Sequence, residues 1–473
     1  MSRQAQLFKL ARSGLILLIH WILSLEKVIR DLRCQIKELQ GRLALNSGNS
    51  GKPPSTDGLA KPVPKSLRSR TGRKPGGQPG HPGHTLEPLA EPDFFLVHAL
   101  DRCSCGKCAG RSLQREPVLD YAKRQVFELP AKLLEVTEHR AEIKRCPVSG
   151  QLVSASFPEE VNAPAQYGPR FKSVMTYLNQ EHLVPLGRLT QISKELFGQP
   201  LGEATVVSAN ERIAKNLEPF EQALKVLLPE EPLLNLDESG LRVNKKLHWL
   251  HVISSSRLTW YGVHPKRGRE AMNFFGIIPR CKNWVIHDHF KPYFTYKGCL
   301  HALCNEHHLR ELKFLFEEEG ELWAEELSQF LLACNGHRKT NGVRLEKEFK
   351  AVLTAYHAIL AKGRQRHPGQ LKGKQSKAAN LLDRLENFDQ SVLAFVWEQR
   401  VAFTNNGGER DIRMIKSRQK VSGCFRTLEG ARVFARIRSY TSTCRKQNQN
   451  ILEALLDAYR GKPFIPTPLA QGP

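Results

Sequence analysis

The chain has 473 residues, and its 71 Lys and Arg outnumber its 47 Asp and Glu to give a net charge of +24. This length predicts about three domains, and the excess of cations favours a polyanionic partner, nucleic acid first, over a neutral or cationic one. Eleven scattered cysteines, an odd count, argue against a disulfide framework and for a reducing, cytoplasmic compartment in which some thiols bind metal.

The first predicted element, residues 1–45, is a coiled-coil helix that forms a homodimer. Its apolar residues recur in alternating steps of three and four: Leu15, Leu18, Ile22, Leu25, Ile29, Leu32, Ile36, Leu39 and Leu43. Ile at most a positions and Leu at every d position are typical of parallel two-stranded coiled coils. The alternative is an amphipathic helix packed on the chain's own body. The apolar run at 15–25 is too short for a membrane span and lacks a cleavage site, so neither membrane insertion nor export is expected.

Residues 46–95 are predicted to be a linker, because they are rich in Gly, Pro and Ser and show no apolar periodicity. Seven lysines and arginines fall between residues 52 and 74. The linker therefore either lies along a phosphate backbone or acts as a solvated tether.

Residues 96–155 contain a Cys-rich module that resembles a structural zinc site. Its four candidate ligands are Cys103, Cys105, Cys108 and Cys146. Two knuckle-like segments with thiolate ligands suit tetrahedral zinc. The second knuckle offers Ser149 where another Cys is expected, so Cys103 or His139 would complete the ligand set.

Residues 156–230 show helical spacing of apolar positions, which indicates a helical domain that either binds DNA through a helix-turn-helix or packs against the core. The pattern becomes strand-like from Leu233, with one strand predicted to end at Asp237 and a later one at Asp288. Carboxylates at strand ends lie at the rim of an α/β sheet, where such sheets place their chemistry. Taken singly, each Asp also suits a turn or a helix cap.

The next segment carries Cys304 and His307 and is predicted to open a helix. At a spacing of i,i+3 these two side chains either share a metal or orient the nearby strand end. Residues 313–400 are predicted to be a helical insertion with a basic loop at 362–377 that would touch phosphates.

Residues 405–426 place one acid, Glu409, at the head of a helix rich in cations. On that helix Glu409, Arg413, Lys416 and Lys420 share one face. The alternative is a solvated helix in which Glu409 and Arg413 form an i,i+4 pair worth about 0.2–0.5 kcal/mol. The predicted DNA-binding cations are Arg410, Arg413, Lys416, Arg418, Lys420 and Arg426.

Three carboxylates, those of Asp237, Asp288 and Glu409, then form a candidate magnesium site. Two divalent cations about 3.5–4 Å apart need such a cluster of hard oxygen ligands to catalyse phosphodiester chemistry. Glu238 adjoins Asp237, so Glu238 is the alternative to Asp237 as the first acid of this site.

The chain resembles the insertion sequence 66 family of bacterial transposases over about residues 25–461. The motifs that carry the resemblance are NSGNSGKPPSTDG, GRKPGGQPGHPGHTL, the Cys-containing segment, FPEEVNAPAQYGPRFK and NNGGERDIRMIKSRQKVSGCFRTLEGARVFARIRSYTSTCRKQ. The resemblance implies an α/β fold with a ribonuclease H-like DDE core at 231–425, which includes the helical insertion, and a basic helical element at 426–473. It also implies that Asp237, Asp288 and Glu409 are the acidic triad, and that Cys304 and His307 match a C-x-x-H segment with a structural or orienting role.

The resulting hypothesis is a nucleoid-associated DNA transposase that cuts the ends of a mobile element and joins the 3′-hydroxyls to target DNA with magnesium. Its partners would be double-stranded DNA, at the terminal inverted repeats and the target, a second copy of the chain, and small accessory proteins of the element. Residues 401–446 carry eleven Lys and Arg against three acids and would position the DNA backbone. The rival hypotheses are a non-catalytic zinc-containing regulator that binds DNA as a dimer, and a nuclease that stops at hydrolysis.

Overall fold

The computed structural model describes residues 20–33, 35–36, 39–40, 43, 86–130, 132–344, 346–369 and 375–468. The chain divides into two compact units. The larger consists of residues 1–64, 163–194 and 199–473, and the smaller of residues 65–162 and 195–198. The start of the predicted coiled coil, most of the predicted linker and the middle of the basic loop lie outside the described residues.

The described part of the N-terminal segment is helical at 20–33, which we call α1. Its apolar side chains are open to solvent, with exposed fractions of 40% at Leu25 and 51% at Leu32. Packing of the helix on the chain's own body stays the alternative. Pairing with a second copy of the chain stays a prediction.

The smaller unit holds a two-stranded antiparallel sheet, formed by β1 (Ile143–Arg145) and β2 (Leu152–Ser154). Cys146 lies in the turn between the two strands, and the turn closes through a hydrogen bond from Gly150 N to Cys146 O at 2.9 Å. Gly150 has a φ of +72°, a left-handed conformation that glycine adopts without strain.

The larger unit is built on a five-stranded sheet with the order β5-β4-β3-β6-β7. Its strands are β3 (Leu233–Val243), β4 (Lys246–Ser254), β5 (Thr259–His264), β6 (Trp284–His287) and β7 (Leu300–Leu303). The first three strands pair antiparallel, whereas β6 runs parallel to β3 and β7 runs parallel to β6. The central strand β3 therefore has an antiparallel neighbour on one side and a parallel neighbour on the other.

Two strand predictions need correction. The first strand does not end at Asp237, because β3 continues to Val243 and pairs with β4 through a two-residue turn at Asn244 and Lys245. Both turn residues have positive φ, 46° and 64°, as a type I′ hairpin turn requires. In addition, the sequence did not predict β7, a short strand that precedes the helix predicted around Cys304.

Before β3 lie α2 (Pro169–Thr176), α3 (Leu186–Phe197), α4 (Glu203–Asn216) and α5 (Glu218–Leu227), and α6 (Arg269–Phe275) follows β5. The predicted insertion is helical, as expected, in α7 (Asn305–Glu319), α8 (Leu322–Asn341), α9 (Glu346–Arg366), α10 (Lys377–Asn387), α11 (Asp389–Val392) and α12 (Ala394–Trp397). The chain continues with α13 (Asn406–Ser422), α14 (Leu428–Lys446) and α15 (Ile451–Tyr459).

The two faces of β3 pack in different hydrophobic cores. Leu234 and Leu236 belong to a core that includes residues of α4, α5 and α6. Leu241 and Val243, which point to the opposite face, pack in a core with Ile412 of α13 and with residues of α14. Because side chains alternate along a strand, the even-numbered residues of β3 lie on the face of Leu234 and Leu236. The odd-numbered residues lie on the opposite face.

Candidate active site

Asp237 and Asp288 lie level with each other on neighbouring parallel strands. In the register of β3 and β6, Asn235 is opposite Ile286, and each acid follows two residues later. Asp237 is inside its strand and half-buried, whereas Asp288 follows the last residue of β6. The parallel pairing therefore carries two carboxylates to the same height of the sheet.

Glu409 reaches the sheet through the first turn of α13. Asn405, which precedes this helix, accepts a hydrogen bond from Asn235 Nδ2 at 2.7 Å and donates one to Leu236 O at 2.8 Å. Asn235 and Asp237 point to the same face of β3, because they are two residues apart on a strand. The helix start thus docks on the face that carries Asp237.

Gly407 permits this close docking. A Cβ added at Gly407 would lie 2.9 Å from Asn235 Oδ1 and 3.0 Å from its Cγ, so any larger residue must displace the side chain to which Asn405 is bound. The two consecutive glycines before Glu409 are therefore explained in part by the packing of α13 on β3.

We expect Gly407→Ala to lower the free energy of unfolding by about 1–3 kcal/mol, the usual cost of overpacking. The midpoint of urea unfolding, followed by circular dichroism, measures this change. Gly336→Ala is the matched control, because Gly336 lies inside α8 and a Cβ there meets nothing within 4 Å. The control should gain up to about 1 kcal/mol from helix propensity. Equal effects at the two positions would contradict the close approach.

The electrostatics of Asp237 reflect burial first and then crowded negative charge. Burial, followed by the charges of Glu238, Asp288 and Glu409, raises the pKa of the Asp237 carboxyl well above its usual range. Within the described residues, the acids Asp237, Asp288 and Glu409 are not a group whose oxygens all lie within 4.8 Å of one another. They are close enough to repel one another, and a divalent cation between them would relieve that repulsion.

Glu238 faces the other side of β3. Its carboxylate is paired with Arg267 at 2.6 Å and accepts a hydrogen bond from the Tyr293 hydroxyl. Burial and the nearby Asp288 charge raise the pKa of Glu238 to about 7, although Arg267 opposes the shift. Asp237, rather than Glu238, thus shares a face with the start of α13.

Arg267 is a residue that the sequence analysis missed. Its guanidinium pairs with Glu238, lies 3.7 Å from Asp288 Oδ2 and stacks over the Phe290 ring with 4.0 Å to the centroid. One cation therefore holds carboxylates from β3 and from the end of β6. No spacing marks Arg267 in the sequence, where it is one of several cations before α6.

Cys304 and His307 lie beside Glu409. Their ligand atoms and the Glu409 carboxylate form a group in which all members are within 4.8 Å of one another. The Cys304 thiol accepts a hydrogen bond from Asn405 N at 3.2 Å and donates a weak one to Glu409 Oε1 at 3.9 Å. Burial first, and also the Glu409 charge, raise the pKa of the Cys304 thiol to about 12.

The six predicted DNA-binding cations differ in their surroundings. Lys416 Nζ donates to Gly240 O at 3.4 Å and is half-buried. Arg418 stacks over Phe425 with 3.6 Å to the ring centroid, and burial lowers the pKa of its guanidinium to about 10. The exposed members are Arg410, Arg413, Lys420 and Arg426.

Three of the four predicted zinc ligands come together in the smaller unit. Cys103, Cys105 and Cys108 form a group with ligand atoms within 4.8 Å, and the sulfurs of Cys105 and Cys108 are 3.5 Å apart. Among the described residues, neither Cys146 nor His139 belongs to that group. The Lys107 backbone N–H and the two neighbouring thiols lower the pKa of Cys105 to about 7, which favours the thiolate that zinc requires.

Family models match two stretches of the chain. None of the described helices combines the length and the apolar character needed to cross a lipid bilayer. A family of unknown function (DUF6444) matches residues 7–87, and no curated protein matches the chain. The model of the transposase IS66 family matches residues 164–433, which is more than half of the chain and includes both Asp residues and Glu409. The chain belongs to the transposase IS66 family.

Proposed function

We propose that this transposase cuts DNA at the ends of an insertion sequence and joins the 3′-hydroxyl ends to target DNA by magnesium-dependent phosphodiester transfer. Asp237, Asp288 and Glu409 would be its catalytic acids. The observation that carries the proposal is the docking of the first turn of α13 on the face of β3 that holds Asp237, level with Asp288 on the neighbouring parallel strand.

The chemistry of these residues fits magnesium. Carboxylate oxygens are the ligands that Mg²⁺ prefers, and burial first, then the charges of Glu238, Asp288 and Glu409, raise the pKa of Asp237. Bound Mg²⁺ would activate an attacking oxygen and stabilise charge at the scissile phosphate. Arg267 would hold Asp288 in place, since its guanidinium contacts both Glu238 and Asp288.

We also propose that the catalytic core, residues 231–425, is ribonuclease H-like with a helical insertion. The support is the sheet, in which three antiparallel strands are followed by two parallel ones in the order β5-β4-β3-β6-β7. In this arrangement the acids come from the central strand, from the end of its parallel neighbour and from a helix beyond the insertion, as the resemblance implies.

The other regions would bind DNA and assemble the complex. We propose that the exposed cations of α13 contact phosphates and that the smaller unit binds one structural zinc through Cys103, Cys105 and Cys108, with Cys146 as the candidate fourth ligand. The N-terminal helix would pair two copies of the chain across two element ends, and accessory proteins of the element would join them. These roles rest on charge, on donor chemistry and on the exposed apolar seam of α1.

A strand-transfer assay tests the proposed function. Purified protein is incubated with labelled element ends, target DNA and Mg²⁺, and the products are separated on a denaturing gel. Covalently joined product supports the proposal. Cut ends without joined product indicate a nuclease, and binding without cutting indicates a regulator, so either result overturns it.

We expect Arg413→Ala to weaken DNA binding about equally for all sequences, because an exposed cation near the site would contact the backbone. The slope of log binding constant against log salt concentration should fall by about 1. Binding titrations at several salt concentrations measure this slope. Lys347→Ala, which removes an exposed cation of α9, should leave the slope unchanged. An equal change of slope in both variants, or no change of slope in either variant, would contradict a specific contact at Arg413.

A further inference from the structure

We infer that Cys304, His307 and Glu409 form a second metal site, distinct in chemistry from the magnesium site, that takes a thiophilic divalent cation of the zinc class. One ligand comes from the residue before α7, one from its first turn and one from the first turn of α13. The inference goes beyond the proposed function, because it gives Glu409 a second use.

The geometry is of the right scale for one shared ion. All three ligand atoms lie within 4.8 Å of one another, and zinc bonds sulfur, nitrogen and oxygen ligands at about 2.0–2.3 Å. Cys304 is held in position by the hydrogen bond from Asn405 N, which belongs to the same segment that docks Glu409. The cluster is therefore fixed by backbone contacts rather than by chance proximity on a surface.

An unsatisfied polar atom gives a second, independent indication. The Nδ1 atom of His307 is buried and has no hydrogen-bond partner within the described residues. A buried polar nitrogen without a partner is costly, and coordination to a metal would satisfy the imidazole. His307 thus has a ring nitrogen that could coordinate a metal, and it lies beside a thiol and a carboxylate.

The donor set selects the kind of metal. Magnesium takes oxygen ligands, whereas sulfur and imidazole favour zinc and related first-row cations. Three protein ligands leave a fourth tetrahedral position open, as in catalytic rather than structural zinc sites. Binding would convert the Cys304 thiol to a thiolate and release its proton to solvent.

This second site would compete with the first. Zinc bound by Cys304 and His307 would also coordinate the Glu409 carboxylate, which the magnesium site needs. Occupation by zinc should therefore inhibit the proposed DNA chemistry. That consequence rests on the proposed function, whereas zinc binding itself does not. A metal titration without DNA or magnesium therefore tests the site separately.

The experiment uses the full chain in a background in which four cysteines of the smaller unit are changed to Ser. These substitutions, at Cys103, Cys105, Cys108 and Cys146, remove the other thiol cluster. Titration with Co²⁺ should give a thiolate-to-cobalt charge-transfer band that saturates at about one ion per chain and is displaced by Zn²⁺.

Variants then assign the ligands. Adding Cys304→Ser should abolish the band, whereas Cys334→Ser, which alters another buried thiol on α8, should keep it. His307→Ala should keep a folded chain, verified by circular dichroism, and weaken binding by at least about 10-fold. The inference is overturned by a background protein that shows no thiolate band, or by folded Cys304→Ser or His307→Ala variants that bind Co²⁺ as the background does.

Discussion

The Glu409→Gln variant is expected to cut and join element ends at least about 10³-fold more slowly than the wild type, the scale seen when one member of a catalytic unit is removed. The amide keeps the shape of the side chain but loses the negative charge that a divalent cation needs. DNA binding should be unchanged, because the cations of α13 remain. Product formation over time and a separate binding titration measure the two effects.

Glu429→Gln is the matched control for this experiment. Glu429 lies on α14 with 68% of its side chain exposed, so the same chemical change there should leave product formation at the wild-type rate. A folded Glu409→Gln variant that still cuts DNA would remove Glu409 from the catalytic acids. A loss of binding together with cutting would instead place its role in docking α13.

The largest expected loss of stability comes from Arg438→Met. Arg438 forms an ion pair with Glu181 in which 8% and 5% of the two side chains are exposed, and Thr441 also donates to Glu181 at 2.8 Å. Removing the cation would leave the buried carboxylate with the more exposed Arg445 as its ion-pair partner, at a cost of up to about 3–5 kcal/mol. Urea unfolding of the two proteins at pH 7 measures the difference in free energy.

Arg432→Met provides the control for the ion pair. Arg432 is 52% exposed and lies 3.9 Å from Glu429, and an exposed pair of this kind contributes about 0–1 kcal/mol. Similar losses for Arg432→Met and Arg438→Met would show that side-chain charge on α14, rather than the buried pair, governs stability.

The cost of Arg438→Met should shrink as the pH falls. Burial alone would raise the pKa of Glu181, but Arg438 and Arg445 outweigh burial and hold it below its usual value. In the wild type this stabilisation is present above the unfolded pKa of about 4.3 and is lost as the pH falls through the folded pKa. In the variant, burial favours the neutral acid, which protonation supplies. The difference in unfolding free energy should therefore be smaller at pH 4 than at pH 7, and a constant difference would exclude Glu181 as its source.

Local patterns in the sequence were sufficient to predict α13 and the strands that lead to the candidate acids. The helix spans Asn406–Ser422 with Ile412 and Ile415 buried, as the spacing of these residues indicates. The extent of β3 was not predictable in the same way, because Asp237, Glu238, Ser239 and Gly240 interrupt the apolar pattern. Pairing with β4, closed by a turn with positive φ, overrides the weak strand propensity of these residues.

Contacts between distant segments were the other part that periodicity could not supply. The bridging position of Arg267 and the approach of Cys304 to Glu409 depend on how β6, α7 and α13 meet. The sequence prediction also grouped Arg418 with Arg413 among the DNA-binding cations. In the structure the Arg418 guanidinium covers Phe425, whereas Arg413 is exposed.

The docking of α13 on β3 has a consequence for synthesis of the protein. Asn235 and Asn405 are 170 residues apart in the chain, whereas the β3-β4-β5 meander is made of sequential neighbours. Local contacts form early and distant ones late, and chains fold from the N-terminus as they are made. While α13 is still in the ribosome, a nascent chain would have Asp237 and Asp288 but no Glu409. The order of translation thus delays assembly of the acidic triad until the smaller unit and the helical insertion have been made.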